Sequence, residues 1–183
     1  MVTNTTILTT HSKNDNHKAN FARWFRHSLY IPWLANLRFD RAARAAIEQA
    51  VTLAEAGHAG EIRVVIEAHL PLHTALRQDT TERARDLFSS LRVWDTALNS
   101  GVLLYINLCA RRVEIVADRG IHAKIEPIRW QSICQQVTAK LSDNAHQHGV
   151  VLGIELIGAT LREYYRVLES EGGNELSDAA MFL

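Results

Sequence analysis

Apolar positions along the chain change period several times, and each change marks an element. Phe39, Ala43, Ile47, Ala50, Val51 and Ala54 recur at helical spacing, so residues 38–56 are predicted to form an amphipathic helix. Gly57 and Gly60 end it. Residues 61–68 (EIRVVIEA) alternate and are β-branched, which predicts a strand closed by Pro71. Asp79 followed by Glu82 has capping-box spacing, and Ala84, Leu87, Phe88 and Leu91 form the stripe of a helix that ends before Trp94. Asn99-Ser100-Gly101 is a turn signal. The unbroken apolar run 102–107 (VLLYIN) suits a strand buried on both faces. Residues 109–111 make only a short link, so 112–117 (RVEIVA) is predicted to return antiparallel as a hairpin, ended by Asp118-Arg119-Gly120. Pro127 suits a helix start, with Ile133, Val137 and Leu141 on the inner face. After a polar break at 142–149, Val150, Ile154, Ile157, Leu161, Tyr164 and Leu168 mark a long amphipathic helix.

The order is therefore helix, strand, helix, strand, strand, helix, helix. A helix between the first two strands predicts a parallel pair joined by a crossover. The expected fold is α/β: a three-layer α/β/α sandwich whose small mixed sheet holds a parallel pair plus an antiparallel hairpin strand, flanked by helices. The expected organisation is a disordered head (1–20), a basic aromatic segment (21–37), the α/β domain (38–169) and an acidic, mobile tail (170–183).

The composition fits one such domain. The chain has 183 residues, 47% hydrophobic and 22% charged, with a formal net charge of +0, enough to bury a sizeable core without disulfides or metal staples. The zero hides an asymmetry. Residues 1–45 hold seven Lys or Arg against two Asp or Glu, a net +5, while residues 143–183 hold two against seven, a net −5. The balance over the domain argues against a general nucleic-acid binder. No apolar stretch suits a secretory signal, and the longest apolar runs fall far short of the roughly 20 residues a membrane span needs. Cys109 and Cys134 lack zinc or redox spacing, so both are expected as reduced thiols of a cytoplasmic protein. No P-loop, GxGxxG, HExxH or GxSxG motif occurs.

The middle of the chain resembles the TPM domain, a family named for a thylakoid lumen protein, a photosystem II repair protein and a nematode receptor modulator. Asn99, Gly101, Val102, Leu103 and Leu104 match its Asn-x-Gly-Val-Leu-Leu strand start. Glu114, Ile115, Gly120 and Ile121 match its next strand and Gly-x-Gly-Leu-like turn, and Gly149 with the helix after it is similar to its last stretch. The resemblance spans about residues 39–168 and is strongest over 60–121. It extends to a bacterial branch without signal peptides, whose members are often small cytoplasmic companions of secreted or anchored TPM proteins. Four positions depart from the family pattern: Trp94 and Asp118 stand where glycines are common, His146 where an aromatic is usual, and Ala145 where an acidic residue often stands. A chloroplast member has acid-phosphatase activity and other members bind calcium, so the resemblance implies a metal-linked protein with a phosphatase-like alternative.

The predicted topology also points to a place. With 112–117 antiparallel to 102–107, and 102–107 parallel to 61–68, the segment after Ala117 meets the starts of the other two strands at one sheet edge. Glu61, Trp94, Asp95, Asn99, Asp118, Arg119 and His122 are expected there. Two readings stand. Asp95 and Asn99 cap a helix or fix a turn near Gly101, and Asp118 pairs with Arg119 or a neighbouring amide. Alternatively, Glu61, Asp95, Asn99 and Asp118 hold Ca²⁺ or Mg²⁺, the oxygen-seeking cations that three carboxylates and an amide suit. A metal-assisted phosphatase would then use Asp95, Asp118 and Arg119, with Arg119 pairing the phosphate and His122 as acid or base. This edge lies opposite the carboxyl ends of the parallel strands, where ligands of open α/β sheets usually sit. His69 with His73, His146 with His148, and Cys134 are weaker candidates, read as solvated or buried side chains.

Residues 21–37 carry Trp24, Phe25, Tyr30 and Trp33 among Arg23, Arg26, His27 and, just beyond, Arg38. They either pack back on the domain or form an arm for an anionic membrane surface or an acidic partner. The leading expectation is a cytoplasmic binding or accessory protein, open to a divalent cation at the sheet edge, whose partner is another TPM protein or a membrane-associated protein, with no nucleic acid. The weak phosphatase and a peripheral membrane adaptor working through residues 21–37 are the alternatives.

Overall fold

The Asp40 carboxylate accepts the Ala43 N–H at 2.8 Å, satisfying one of the donors that a helix start leaves open. The helix it caps runs over Arg41–Glu55 and buries Ala43, Ile47, Ala50, Val51 and Ala54, the stripe read from the sequence. In this computed structural model, residues 6–8, 22, 24, 25, 27, 28, 38–143, 145–164 and 175–183 are described. In chain order the elements are β1 (Thr6–Leu8), α1 (Arg41–Glu55), β2 (Glu61–Glu67), α2 (Leu72–Ala75), α3 (Thr80–Ser90), β3 (Gly101–Asn107), β4 (Arg112–Ala117), α4 (Arg119–His122), α5 (Pro127–Ser142), α6 (His146–Tyr164) and β5 (Met181–Phe182).

The sheet order is β1-β4-β3-β2-β5. β2 and β3 are parallel from Glu61↔Gly101 to Glu67↔Asn107, and β4 returns antiparallel on β3, as the connection lengths predict. Alternation then sorts the side chains. Ile62, Val64, Ile66, Val102, Leu104, Ile106, Val113, Ile115 and Ala117 join one core with α1, α5 and α6. Val65, Leu103, Tyr105 and Val116 face the other way and pack with Ala84, Leu87 and Phe88 of α3. Helices thus cover both faces, and the three-layer α/β sandwich stands.

The second face is half polar. Glu67, Tyr105, Asn107 and Glu114 share the parity of Val65 and Leu103, and all four are buried. Arg83 of α3 donates to Glu67 Oε1 at 2.8 and 3.1 Å. The Tyr105 hydroxyl donates to Glu67 Oε2 at 2.5 Å, and Asn107 donates to the Tyr105 oxygen at 3.0 Å. Burial first, and then the Glu67 charge, push the Tyr105 phenol well above its ordinary value, so it stays a donor. The Thr80 and Thr81 hydroxyls donate to Glu114 Oε1 at 2.7 and 3.3 Å, while Glu114 Oε2 is buried with no partner. A continuous apolar run such as 102–107 hides this polar parity, because Tyr105 is counted apolar and Asn107 ends the run.

The chain ends depart from expectation. Thr6–Leu8, placed in a disordered head, pair antiparallel with β4. The segment 175–183, expected as a mobile tail, lies along β2, where β5 pairs in parallel. The rest of the head and residues 165–174, including Leu168, lie outside the described residues. Of the aromatic segment, Ala22, Trp24, Phe25, His27 and Ser28 are helical. His27, grouped with the lipid-facing cations of an arm, is instead buried, and its Nδ1 accepts the Leu70 N–H at 3.0 Å. Arg23, Arg26, Tyr30 and Trp33 fall outside the described residues. The polar break after α5 is shorter than predicted, since α6 starts at His146. The four-residue helices α2 and α4 stand where loops were expected. Among the described residues no helix is long and apolar enough to cross a membrane.

Glu114 gives this fold a pH dependence. Burial is the main cause that raises its carboxyl from 4.5 to about 7, against the lowering effect of the Thr80 and Thr81 hydrogen bonds. A raised carboxyl makes the folded chain bind more protons than the unfolded one. Its contribution is therefore fully present below the unfolded value and is lost as pH rises through about 7. Between about pH 5 and about pH 8 the natural chain should lose roughly 2–3 kcal/mol more stability than Glu114→Gln, measured by denaturant unfolding. An identical pH slope for the two proteins would show that Glu114 is already ionised in the fold.

Candidate functional site

The edge at the starts of β2 and β3 is built around the loop after α3. Arg92 and Asn99 both adopt left-handed conformations, with φ of 54° and 50°, which Asn tolerates better than most residues. The Asn99 N–H donates to the Thr96 carbonyl and the Ser100 N–H to the Thr96 hydroxyl, at 3.1 and 2.9 Å. The Ser100 hydroxyl reaches the Ala59 carbonyl at 2.6 Å. The Glu61 N–H then donates to the Ser100 carbonyl and the Asp118 N–H to the Gly101 carbonyl, at 3.1 and 2.9 Å. Glu61, Asn99, Asp118 and Arg119 are thereby gathered at one edge, as the topology predicts.

Their side chains do internal work. Asp118 caps α4 by accepting the Arg119 N–H at 2.7 Å. Arg119 donates to Asn99 Oδ1 at 3.3 Å. Glu61 Oε2 accepts the Leu176 N–H at 3.2 Å. Burial, the largest cause in each case, raises the carboxyls of Glu61 and Asp118 above their usual range. Asp118 is only 2% exposed, and its Oδ2 has no partner. Asp95 and Trp94 sit apart from this group at the surface. Asp95 faces Arg92 at 3.9 Å, and Trp94 is 45% exposed with its indole N–H on the Ser89 carbonyl. His122 stands at the end of α4, its N–H donating to the Asp118 carbonyl at 2.9 Å. Among the described residues no three His, Cys, Asp or Glu side chains form a group that could hold a metal ion.

Two glycines let this edge form. A Cβ on Gly101 would lie 1.8 Å from the Val93 carbonyl oxygen, and one on Gly120 would lie 2.5 Å from the Asn99 carbonyl oxygen. The loop 93–99 is thus clamped between the start of β3 and α4 by backbone atoms that a side chain would displace. The Asn-x-Gly and turn-glycine signatures are packing requirements of this clamp.

The remaining candidates do not add a second centre. His146 and His148 lie in the first turn of α6 rather than in a loop. Residues two apart on a helix do not face each other, and His146 lies beside Phe39, with ring centroids 6.4 Å apart. Burial, then Arg38 and Arg111, lower the His146 imidazole below its usual value. His69 Nδ1 lies 3.0 Å from the Leu70 carbonyl, and His73 is exposed on α2. Cys134 is buried in the core, and burial pushes its thiol up to about 12, which removes it as a nucleophile. Trp130 of α5 also lies in this core and is not a surface platform. At the opposite end, the carboxyl ends of β2 and β3 are closed by the Glu67–Arg83–Tyr105–Asn107 group, which no catalytic or metal-binding motif marks in the sequence. The signal was present as polar residues at one strand parity: Glu61, Arg63 and Glu67, then Tyr105 and Asn107, then Arg112 and Glu114.

The family profile described as the TPM domain matches residues 37–160. Among solved structures the chain is similar to the NMR structure of the BA42 protein from the psychrophilic bacterium Bizionia argentinensis. The two are 26% identical with a TM-score of 0.70, and the match covers 79% of this chain and 94% of that one. A search among curated proteins finds no match.

The clamp makes a direct prediction. Gly101→Ala should cost about 3 kcal/mol, because the obstructing atom is backbone and cannot rotate away. Gly149→Ala, whose new Cβ would meet side-chain atoms at 3.2 Å or more, should stay within about 1 kcal/mol of the natural chain. Urea unfolding midpoints of the three proteins check this. A Gly101→Ala protein as stable as the natural one would mean that the loop is not clamped.

Proposed function

Since the chain belongs to the TPM domain family, we propose that it works as a binding or accessory module rather than as a hydrolase. Its contacts are those of a protein that holds chain segments against a sheet. The observation that carries this reading is the use made of the candidate side chains. Glu61 receives a backbone amide of the segment 175–183, Asp118 caps a helix, and Asn99 receives Arg119. Each is committed to holding loops and strands in place. The partner in this reading is a protein, with another TPM protein or a membrane-associated protein as the expected kind, met in the cytoplasm.

One feature favours a second reading. The partnerless Oδ2 of Asp118 sits beside Arg119, as an oxygen that a divalent cation such as Ca²⁺ or Mg²⁺ would satisfy. Arg119 would then pair a phosphate, and Asp95 would have to swing in from the surface. This is the metal-assisted phosphatase.

Calorimetric titration with Ca²⁺, Mg²⁺ and Mn²⁺, together with aryl phosphate turnover, separates the two. The binding module should give no turnover that Asp118→Asn removes, with or without added metal. Metal-dependent turnover abolished in Asp118→Asn, with folding intact by circular dichroism, would replace the module by the enzyme.

A further inference from the structure

The family match ends at residue 160, yet the chain continues and returns to the sheet. Beyond residues 165–174 the segment 175–183 runs along the outer edge of β2. Val65 pairs with Met181 and Ile66 with Phe182. The Leu183 N–H donates to the Ile66 carbonyl at 3.0 Å, and the Ala68 N–H donates to the Leu183 carbonyl at 2.8 Å. This is strand addition to a sheet edge, a recurring mode of peptide recognition in which the backbone supplies affinity and alternate side chains supply selectivity.

The rest of the contact has the same division of labour. Arg63 donates from one nitrogen to the carbonyls of Ser177 and Ala179, at 2.7 and 3.1 Å. Those bonds read any extended backbone. Glu61 takes the Leu176 N–H, and the Glu175 carboxylate accepts the Ala97 N–H at 3.1 Å. Besides the Glu175 carboxylate, three side chains supply selectivity. Asp178 accepts the Thr52 hydroxyl at 2.5 Å. Phe182 lies on Phe39, with ring centroids 5.5 Å apart, under the Arg44 guanidinium at 3.8 Å. Met181 turns to the opposite face and packs on the cluster of Val65 and Phe88.

We infer that the outer edge of β2, flanked by Thr52, Glu61 and Arg63, is a docking groove for an extended protein segment, and that residues 175–183 occupy it as the chain's own ligand. The partner segment it fits carries an acidic residue followed three and four positions later by two large apolar side chains that point to opposite faces. This deepens the binding-module reading and rests on it. The ligand class follows from the one sequence seen in the groove: extended backbone for Arg63, a carboxylate for Thr52, a thioether or similar chain for one face, and an aromatic ring for the Phe39–Arg44 pocket.

The test uses the full chain and a fluorescein-labelled peptide of residues 175–183. The double variant Met181→Ala/Phe182→Ala weakens the internal ligand and leaves the groove intact. It should bind the peptide about tenfold or more tighter than the natural chain does, by fluorescence anisotropy, because the natural groove faces an intramolecular competitor. A peptide carrying the same two alanines should not bind. A variant that is folded by circular dichroism yet binds no peptide overturns the inference, as does a natural chain that binds equally well. A natural dimer in sedimentation that the double variant abolishes would mean exchange between two copies, and would overturn occupation by the chain's own segment. Should the variant fail to fold, hydrogen exchange on the natural chain decides. The Ala68 and Leu183 amides should exchange together, roughly 100-fold faster than the Leu104 amide, and equal protection would overturn an exchangeable strand. Failure here leaves the binding module standing, whereas only Asp118-dependent hydrolysis removes the module itself.

Discussion

The parallel pairing of β2 with β3 is the constraint from which the other features descend. Parallel neighbours need a crossover, and here the crossover carries α2 and α3, so α3 covers one sheet face. The three longer helices are left to cover the other, where their combined apolar surface meets nine inward strand residues. The same pairing brings the loop 93–100 to the start of β3 beside the start of β2, and the hairpin return of β4 delivers Asp118 and Arg119 to that edge. The pairing also leaves the outer side of β2 with backbone donors and acceptors that β3 does not use. An open edge of this kind invites another strand, and residues 181–182 supply it.

The two sheet faces differ in chemistry, and the difference is energetic as well as geometric. The strand residues of β2, β3 and β4 that face α1, α5 and α6 are apolar and gain their stability chiefly from burial. The face under α3 buries the carboxylates of Glu67 and Glu114, with Glu61 of the same parity at its edge. Glu67 is compensated by Arg83, Tyr105 and Asn107. Glu114 has two hydroxyl donors but an unmatched second oxygen, and so it holds a proton more readily. A buried carboxyl with too few donors lowers its cost by staying neutral. One strand parity thereby fixes the register of α3 on the sheet and couples the fold to pH.

Long elements and the site edge could be read from the sequence, because both depend on period and order. α1, α3, α5 and α6 announce themselves through stripes such as Ile47–Val51–Ala54, and the Asp79–Glu82 box forms as expected. The meeting of Glu61, Asn99, Asp118 and Arg119 followed from strand direction alone. What stayed hidden rests on other physics. β1 and β5 are three and two residues long, too short for any periodicity, and they pair through the backbone. α2 and α4 are single turns. The tail composition, acidic with a Gly-Gly pair, speaks for mobility, but Met181 and Phe182 outweigh it by packing on opposite faces of the sheet. The left-handed turns at Arg92 and Asn99 bend the loop 92–99, with Asp95 exposed beside Arg92, and sequence spacing carries no sign of φ. The closeness of Gly101 to the Val93 carbonyl is likewise a contact between segments that spacing does not encode.

An internal ligand changes what an added strand means. A segment tethered to its own groove acts at an effective concentration on the order of millimolar. An outside segment with the same contacts and micromolar intrinsic affinity is then weakened by about a thousandfold until the internal one leaves. The closed groove is therefore quiet toward chance extended chains, which protects a bare parallel edge from aggregation. It is selective toward a partner that makes contacts beyond those of residues 175–183 and so can displace them. Arg63 and Glu61 would serve either occupant, since both engage backbone atoms. Discrimination would fall to Thr52, to Phe39 with Arg44, and to the Val65–Phe88 cluster, the positions where the groove meets side chains. Edge protection and partner selection are then one device: the strand that closes the sheet also sets the threshold a partner must exceed to open it.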